Sequence, residues 1–78
     1  MASHEATIDD VRELVSLQLG VRLVAPDDEL MRDLGAESAD LVNLVATLED
    51  RYGLVIEEEE ISRFKTVRDL FERVVRGD

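Results

Sequence analysis

Residues 38–53 read SADLVNLVATLEDRYG, and this stretch decides the fold. Its large apolar side chains recur at spacings of three and four residues, and they are Leu41, Leu44, Val45, Leu48 and Tyr52. This spacing places one apolar stripe along a helix, and serine and glycine are typical of helix starts and stops. The stretch therefore predicts a helix that has Ser38 as its N-cap and ends at Gly53. The opposite face carries acids, among them Asp40, Glu49 and Asp50.

A long helix is predicted on each side of this one. Thr7 precedes an apolar pattern with two aspartates in its first turn, and Gly20 closes it, which indicates a helix over about residues 8–19. Thr66 precedes a second pattern, formed by Val67, Leu70, Phe71 and Val74. Arg73 and Arg76 suit the C-terminal end of that helix, which we expect to run to about residue 75.

The segments between these helices are less regular. Residues 57–63 start with four glutamates and predict a short helix, with Ile61 and Phe64 pointing inward. Residues 54–56 are apolar, but no alternating partner segment exists, so we interpret them as a buried connector. Residues 21–36 predict a long loop with buried anchors and a short turn near residues 28–32. The apolar residues of this loop are Val21, Leu23, Val24, Leu30, Met31 and Leu34.

These elements predict an all-α fold, a small four-helix bundle without a sheet. The chain has 78 residues, of which 26 are Leu, Val, Ile or Phe. This third of the chain exceeds the roughly 20% below which highly charged chains stay unfolded. We expect a flexible tail over residues 1–6 and one domain over residues 7–78.

The charge of the chain is concentrated in one segment. There are 19 acidic and 9 basic side chains, for a net charge of -10, and residues 27–60 alone account for that whole value. Acidic surfaces repel phosphate backbones and anionic lipids, so nucleic acid and membranes are poor partners. The segment is either a solvated face or a docking surface for basic partners. With no apolar run near the length of a membrane span and no secretory signal, we expect a monomer in the cytoplasm.

Catalysis by the protein's own side chains is not expected. The sequence contains no cysteine, and its one histidine, His4, falls in the predicted tail. Acidic clusters are present, but they lack the spacing and glycine of a calcium loop, so no metal site is predicted. In so small a bundle we expect the carboxylates to face water and keep ordinary pKa values. The interpretation is a protein that is not an enzyme.

Residues 34–40 read LGAESAD, and they place a serine at the start of the most clearly predicted helix, the one that ends at Gly53. By itself Ser38 is either a plain N-cap or an exposed hydroxyl that a phosphate ester can use. The run resembles the motif of the acyl carrier proteins, Leu-Gly-Ala or Leu-Gly-Gly followed by Asp-Ser-Leu. Over about residues 7–76 the chain is similar to that family in further places: residues 18–21, residues 48–50, Ile56 with its acids, and Thr66 with Val67.

The resemblance implies a function and a cofactor. Family members carry 4′-phosphopantetheine covalently on this serine, and its thiol holds an acyl group as a thioester. The implied partners are a phosphopantetheinyl transferase and acyl-transferring or acyl-modifying enzymes of fatty acid, lipid or polyketide synthesis. The acidic side chains expected to contact basic patches on these partners are Glu37, Asp40, Glu49, Asp50 and Glu58. The family also implies that the faces bearing Leu44, Val45, Leu48, Ile56 and Ile61 can open to shelter an acyl chain.

The sequence departs from the family pattern at four positions. Glu37 replaces the usual aspartate, and Ala39 replaces a leucine that transferases and partner enzymes commonly contact. Asn43 and Ala46 stand where an acid and a methionine are common. Two alternatives stay open, namely a peptidyl or aminoacyl carrier and an unmodified acidic helical adaptor in which Ser38 is only a cap.

Overall fold

The fold is built from four helices, as seen in a computed structural model that describes residues 6–77. The helices are α1 (Ile8–Leu19), α2 (Ser38–Tyr52), α3 (Glu58–Ile61) and α4 (Val67–Arg76). The predicted all-α bundle is confirmed, and within the described residues the only β pairing is an isolated bridge between Glu29 and Thr66. Residues 1–5 of the predicted tail, which include His4, lie outside the described part of the chain. Ala6, the last residue of that tail, packs against the core.

The ends of the long helices follow the predicted signals. The Thr7 hydroxyl accepts a hydrogen bond from the backbone N–H of Asp10 at 3.1 Å. The Thr66 hydroxyl accepts one from Asp69 N–H, also at 3.1 Å, so both threonines cap their helices. Gly20 and Gly53 follow α1 and α2, as predicted, while α4 extends one residue beyond its predicted end.

The third helix is shorter than the predicted residues 57–63. Glu57 is its N-cap and Ile61 its last residue. The backbone then tightens into three-residue turns, since Arg63 N–H donates to Glu60 O at 3.0 Å and Phe64 N–H donates to Ile61 O at 3.2 Å. Such 3₁₀-type bonds commonly finish a short helix. In the connector before α3, Ile56 is buried as expected, but Val55 is exposed.

The core lies where α1 packs against α4 and α2. In the described part of the chain, seven side chains are fully buried: Val11, Val15, Leu30, Leu44, Leu48, Val67 and Leu70. Full burial of one such side chain stabilises a fold by roughly 1.5–3 kcal/mol, so this group carries much of the hydrophobic stabilisation. α3 packs against α2, outside this cluster.

The long loop between α1 and α2 is attached to the start of α4. Three backbone hydrogen bonds make this attachment: Leu30 N–H to Lys65 O (2.8 Å), Val67 N–H to Asp28 O (3.1 Å) and Arg68 N–H to Pro26 O (2.8 Å). The first N–H groups of a helix lack partners within the helix, and here loop carbonyls satisfy two of them. The loop that leads to α2 is thereby held in one position.

Only some of the predicted loop anchors are buried. Val24 and Leu30 belong to the core. Leu23 is 85% exposed and Met31 is 50% exposed, so the prediction of buried anchors is wrong for these two residues. Leu23 precedes Val24, and Met31 follows Leu30. In both pairs the neighbouring residue fills the core, and the side chain of Leu23 or Met31 faces away from the core.

Candidate functional site

The chain reaches α2 through a tight turn at residues 29–36. Gly35 has a φ of 75°, in the left-handed region that favours glycine. Its N–H donates to Met31 O at 3.2 Å, and Ala36 N–H donates to Leu30 O at 2.9 Å. Because Ala36 is buried, the turn fixes the direction in which the next residues leave the core.

Ser38 is the first residue of α2 and not its N-cap, which corrects the sequence prediction. The N-cap is Glu37, with extended backbone angles of φ -104° and ψ 172°. Its N–H donates to the Asp40 carboxylate at 2.8 Å. An acid three residues after the cap selects this register, whereas the third residue after Ser38 is the apolar Leu41. The Ser38 side chain is exposed at the positive end of the α2 dipole.

A groove of about 810 Å³ lies between α2 and α3, and Ser38 is one of the residues that line it. Its apolar lining comes from Met31, Leu41, Val42, Val45, Ala46, Ile56, Ile61 and Phe64. Its polar lining comes from Glu29, Arg32, Ser38, Glu49, Glu58, Ser62 and Lys65. The structure therefore places an exposed hydroxyl beside an apolar cleft.

The groove includes only part of the face that was expected to shelter an acyl chain. Val45, Ile56 and Ile61 line it, as expected. Leu44 and Leu48 are fully buried in the core and do not line it.

Val42 and Ala46 line the groove, although the sequence had given neither of them a place there. Val42 is 52% exposed, and a helical residue four positions after Ser38 lies on the same face one turn later. Ala46, noted only as a departure from the family pattern, repeats that spacing and also lines the groove. The four-residue spacing from Ser38 through Val42 to Ala46 could have indicated this face of the helix. The more prominent stripe of large buried residues drew attention to the other face.

The five acids expected to contact partners fall into two groups. Glu37, Asp50 and Glu58 are exposed. Asp40 and Glu49 are half-buried, and each accepts a backbone hydrogen bond, Asp40 at the start of α2 and Glu49 from the N–H of Ile56 at 2.8 Å. Glu37, Asp50 and Glu58 therefore present exposed carboxylates, whereas those of Asp40 and Glu49 are partly engaged by the backbone.

Two carboxylates depart from the expectation of ordinary pKa values. A hydrogen bond from Arg68 Nε at 2.9 Å, with the attraction of its charge, lowers the pKa of Asp27 and raises that of Arg68. A hydrogen bond from Arg73 Nε at 2.8 Å, helped by one from Glu57 N–H, lowers the pKa of Glu60. Neither carboxylate lines the groove. We interpret both as parts of ion pairs that join separate segments.

Among residues 6–77, no group of three or more His, Cys, Asp or Glu side chains is placed to hold a metal ion. In the same part of the chain, no helix has the length and apolar character needed to cross a membrane.

A four-helix domain that presents an exposed serine beside an apolar groove has the architecture of a carrier domain. The sequence matches the family described as "Phosphopantetheine attachment site" over residues 9–74. The chain therefore belongs to the phosphopantetheine-attachment family.

Individual relatives are consistent with this assignment. The chain is 36% identical to the acyl carrier protein of Thermotoga maritima over 72 residues, which cover 90% of this chain and 89% of the relative. A candidate acyl carrier protein from Mycobacterium tuberculosis superposes with a TM-score of 0.84 at 26% identity, covering 91% of this chain and 97% of the other. A 3-oxo-butyl carrier protein of the actinorhodin polyketide synthase from Streptomyces coelicolor gives a TM-score of 0.71 at 26% identity, with coverages of 99% and 94%.

Proposed function

We propose that this protein carries acyl intermediates as thioesters on a phosphopantetheine group attached to Ser38. The observation that supports this most directly is the position of Ser38. Its side chain is exposed at the first residue of α2, beside the groove, and lies within the segment that matches the phosphopantetheine-attachment family.

The residues around Ser38 fit a phosphopantetheine group. A phosphate ester on the Ser38 oxygen would be held at the N-terminal end of α2, where the helix dipole favours negative charge. The arm of the group is long and flexible, and the apolar groove offers a place for the cargo at its end. When bound, the group supplies a thiol, which this cysteine-free chain lacks.

The remaining side chains contribute binding and not chemistry on the cargo. The groove excludes water from an apolar chain through residues such as Val45, Ile56 and Ile61. Exposed acids, chiefly Glu37, Asp50 and Glu58, attract partners with basic patches, which gives fast, salt-sensitive encounters and rapid release. The proposed partners are a phosphopantetheinyl transferase and acyl-transferring enzymes in the cytoplasm.

Intact mass measurement tests the attachment. The purified protein is incubated with coenzyme A and a broad-specificity phosphopantetheinyl transferase, and then with a transferase from the same genome because of Ala39. We expect a mass gain of one phosphopantetheinyl group. Ser38→Ala abolishes the gain, because it removes the oxygen that forms the ester.

Ser62→Ala is the matched control, since Ser62 is also exposed and also lines the groove. That variant keeps the full gain if Ser38 is the attachment residue. A gain that survives Ser38→Ala rejects Ser38 as the attachment residue. No gain with either transferase rejects the carrier function and favours the unmodified adaptor.

We assign the cargo to the acyl class because the relatives are named acyl carrier proteins, including one from a polyketide synthase. If the groove shelters the chain, acylation shifts the NMR signals of Val45, Ile56 and Ile61. Equal spectra for acylated and unacylated protein at these residues contradict the sheltering, and loading only with aminoacyl groups supports a peptidyl carrier instead.

A further inference from the structure

Arg73 is the one buried charged side chain among residues 6–77, at 7% exposure on α4. Within residues 6–77 its guanidinium donates hydrogen bonds to Glu60 Oε1 at 2.8 Å, to Val55 O at 2.9 Å and to Gly77 O at 2.5 Å. Burying a charge is costly unless it is paired and hydrogen-bonded, and Arg73 is both, since it forms an ion pair with Glu60 and donates to two backbone carbonyls. The sequence had assigned Arg73 only to the favourable end of a helix dipole.

Two of these acceptors are next in sequence to residues that line the groove. Val55 immediately precedes Ile56, and Glu60 immediately precedes Ile61, and both isoleucines line the groove. Arg73 itself does not line it. The guanidinium therefore contacts the connector and α3 at positions adjacent to the lining.

The side of the groove that α3 forms depends on contacts between α3 and other elements. α3 has only four residues, and isolated helices shorter than about 12–15 residues are marginal in water. None of its residues is fully buried. The Glu60 carboxylate also accepts bonds from Glu57 N–H at 3.0 Å and from Arg76 at 3.5 Å, so it joins the start of α3 to α4.

We propose that Arg73 is a positioning residue that fixes the connector and α3 in place and so limits the length of cargo that the groove accepts. The proposal rests on the proposed carrier function, since the groove must receive a cargo. Arginine suits the task because its planar guanidinium reaches acceptors in several directions at once, whereas lysine offers a single compact ammonium group.

Arg76 provides a matched control. It lies on the same helix and contacts the same Glu60 oxygen, but its side chain is 70% exposed. Arg73→Met and Arg76→Met remove the same charge, so a difference between them reports the buried contacts. Arg73→Lys keeps the charge but loses the planar guanidinium. It replaces Arg73→Met in the experiments if Arg73→Met does not fold.

Amide hydrogen exchange on the unloaded protein is the first test. In Arg73→Lys and Arg73→Met, we expect exchange at Glu60, Arg63 and Phe64 to accelerate by about tenfold or more relative to exchange at Val15 in α1, as expected when charged hydrogen bonds are lost locally. Arg76→Met leaves this ratio within about twofold. An unchanged ratio in the Arg73 variants, or an equal increase in Arg76→Met, overturns the proposal.

The second test uses protein loaded with butanoyl, octanoyl and dodecanoyl groups. Longer acyl chains are expected to produce larger changes in the NMR signals of Ile61 and Val45 until the groove is full. We expect this limit to come at a shorter chain in the protein of natural sequence and in Arg76→Met than in Arg73→Lys. The same chain-length dependence in all three proteins overturns the positioning role. Failure to load any of them instead rejects the carrier function, while the exchange result still reports the contact between Arg73 and α3.

Discussion

The two sides of α2 differ in how completely they are packed. On one side Leu44 and Leu48 are fully buried in the core that α1 and α4 help to build. On the other side α2 faces the four-residue α3 across a groove of about 810 Å³. One helix thus anchors the fold with one face and borders an open groove with another, so substitutions on the two faces are expected to have different consequences.

The largest expected contrast is between two leucines of this helix. Leu48 is fully buried, whereas Leu41, at 6% exposure, lines the groove. Leu48→Ala leaves a closed cavity and is expected to cost about 3–5 kcal/mol of unfolding free energy. Leu41→Ala enlarges a cleft that already exists and is expected to cost about 2 kcal/mol. Urea unfolding of both variants measures the difference, and equal costs would remove the distinction between the two sides.

A smaller contrast is expected between the starts of two helices. Thr66 caps α4 through its hydroxyl, while Ser38 follows the cap of α2 and is exposed. Thr66→Ala is expected to cost about 1 kcal/mol, and Ser38→Ala should change the unfolding free energy by less than about 0.5 kcal/mol. Thermal unfolding of both variants checks this. A Ser38→Ala cost as large as that of Thr66→Ala would mean that the serine is a structural cap after all.

The smallest expected effect is a pH dependence at α3. Because the pKa of Glu60 is lowered in the folded protein, its stabilising contribution is complete above the ordinary glutamate pKa and is lost as the pH falls through the lower folded value. The difference in Tm between the protein of natural sequence and Glu60→Gln is therefore largest near neutral pH and shrinks on acidification. Glu59→Gln is the control, an equal change of charge at an exposed position of α3. If the two variants respond alike to pH, the contact between Glu60 and Arg73 does not stabilise α3.

Local signals predicted most of the fold. The threonine caps, the glycine stops and the apolar stripes placed α1, α2 and α4 to within about one residue. The start of α2 was shifted by one residue because serine is a common N-cap, while the decisive group was Asp40, three residues after Glu37.

The site was predictable only where it depends on short-range pattern. Ser38 could be selected because its motif and its helix are continuous in sequence. The contacts of Arg73 could not be predicted, because its acceptors Val55 and Glu60 lie 18 and 13 residues away in the chain. The exposure of Leu23 and Met31 was missed for a related reason, since hydropathy alone does not say which of two adjacent apolar loop residues fills the core.

The attachment of the long loop to α4 has a consequence for the order in which the protein matures. The backbone partners that hold residues 26–30 are supplied by residues 65–68, which a ribosome adds only after Ser38 has been made. A nascent chain that ends before residue 65 contains the serine and its motif but lacks these partners. The surface that presents Ser38 is therefore completed only once residues 65–68 have been made, and an enzyme that recognises this surface is expected to prefer the finished fold to the growing chain.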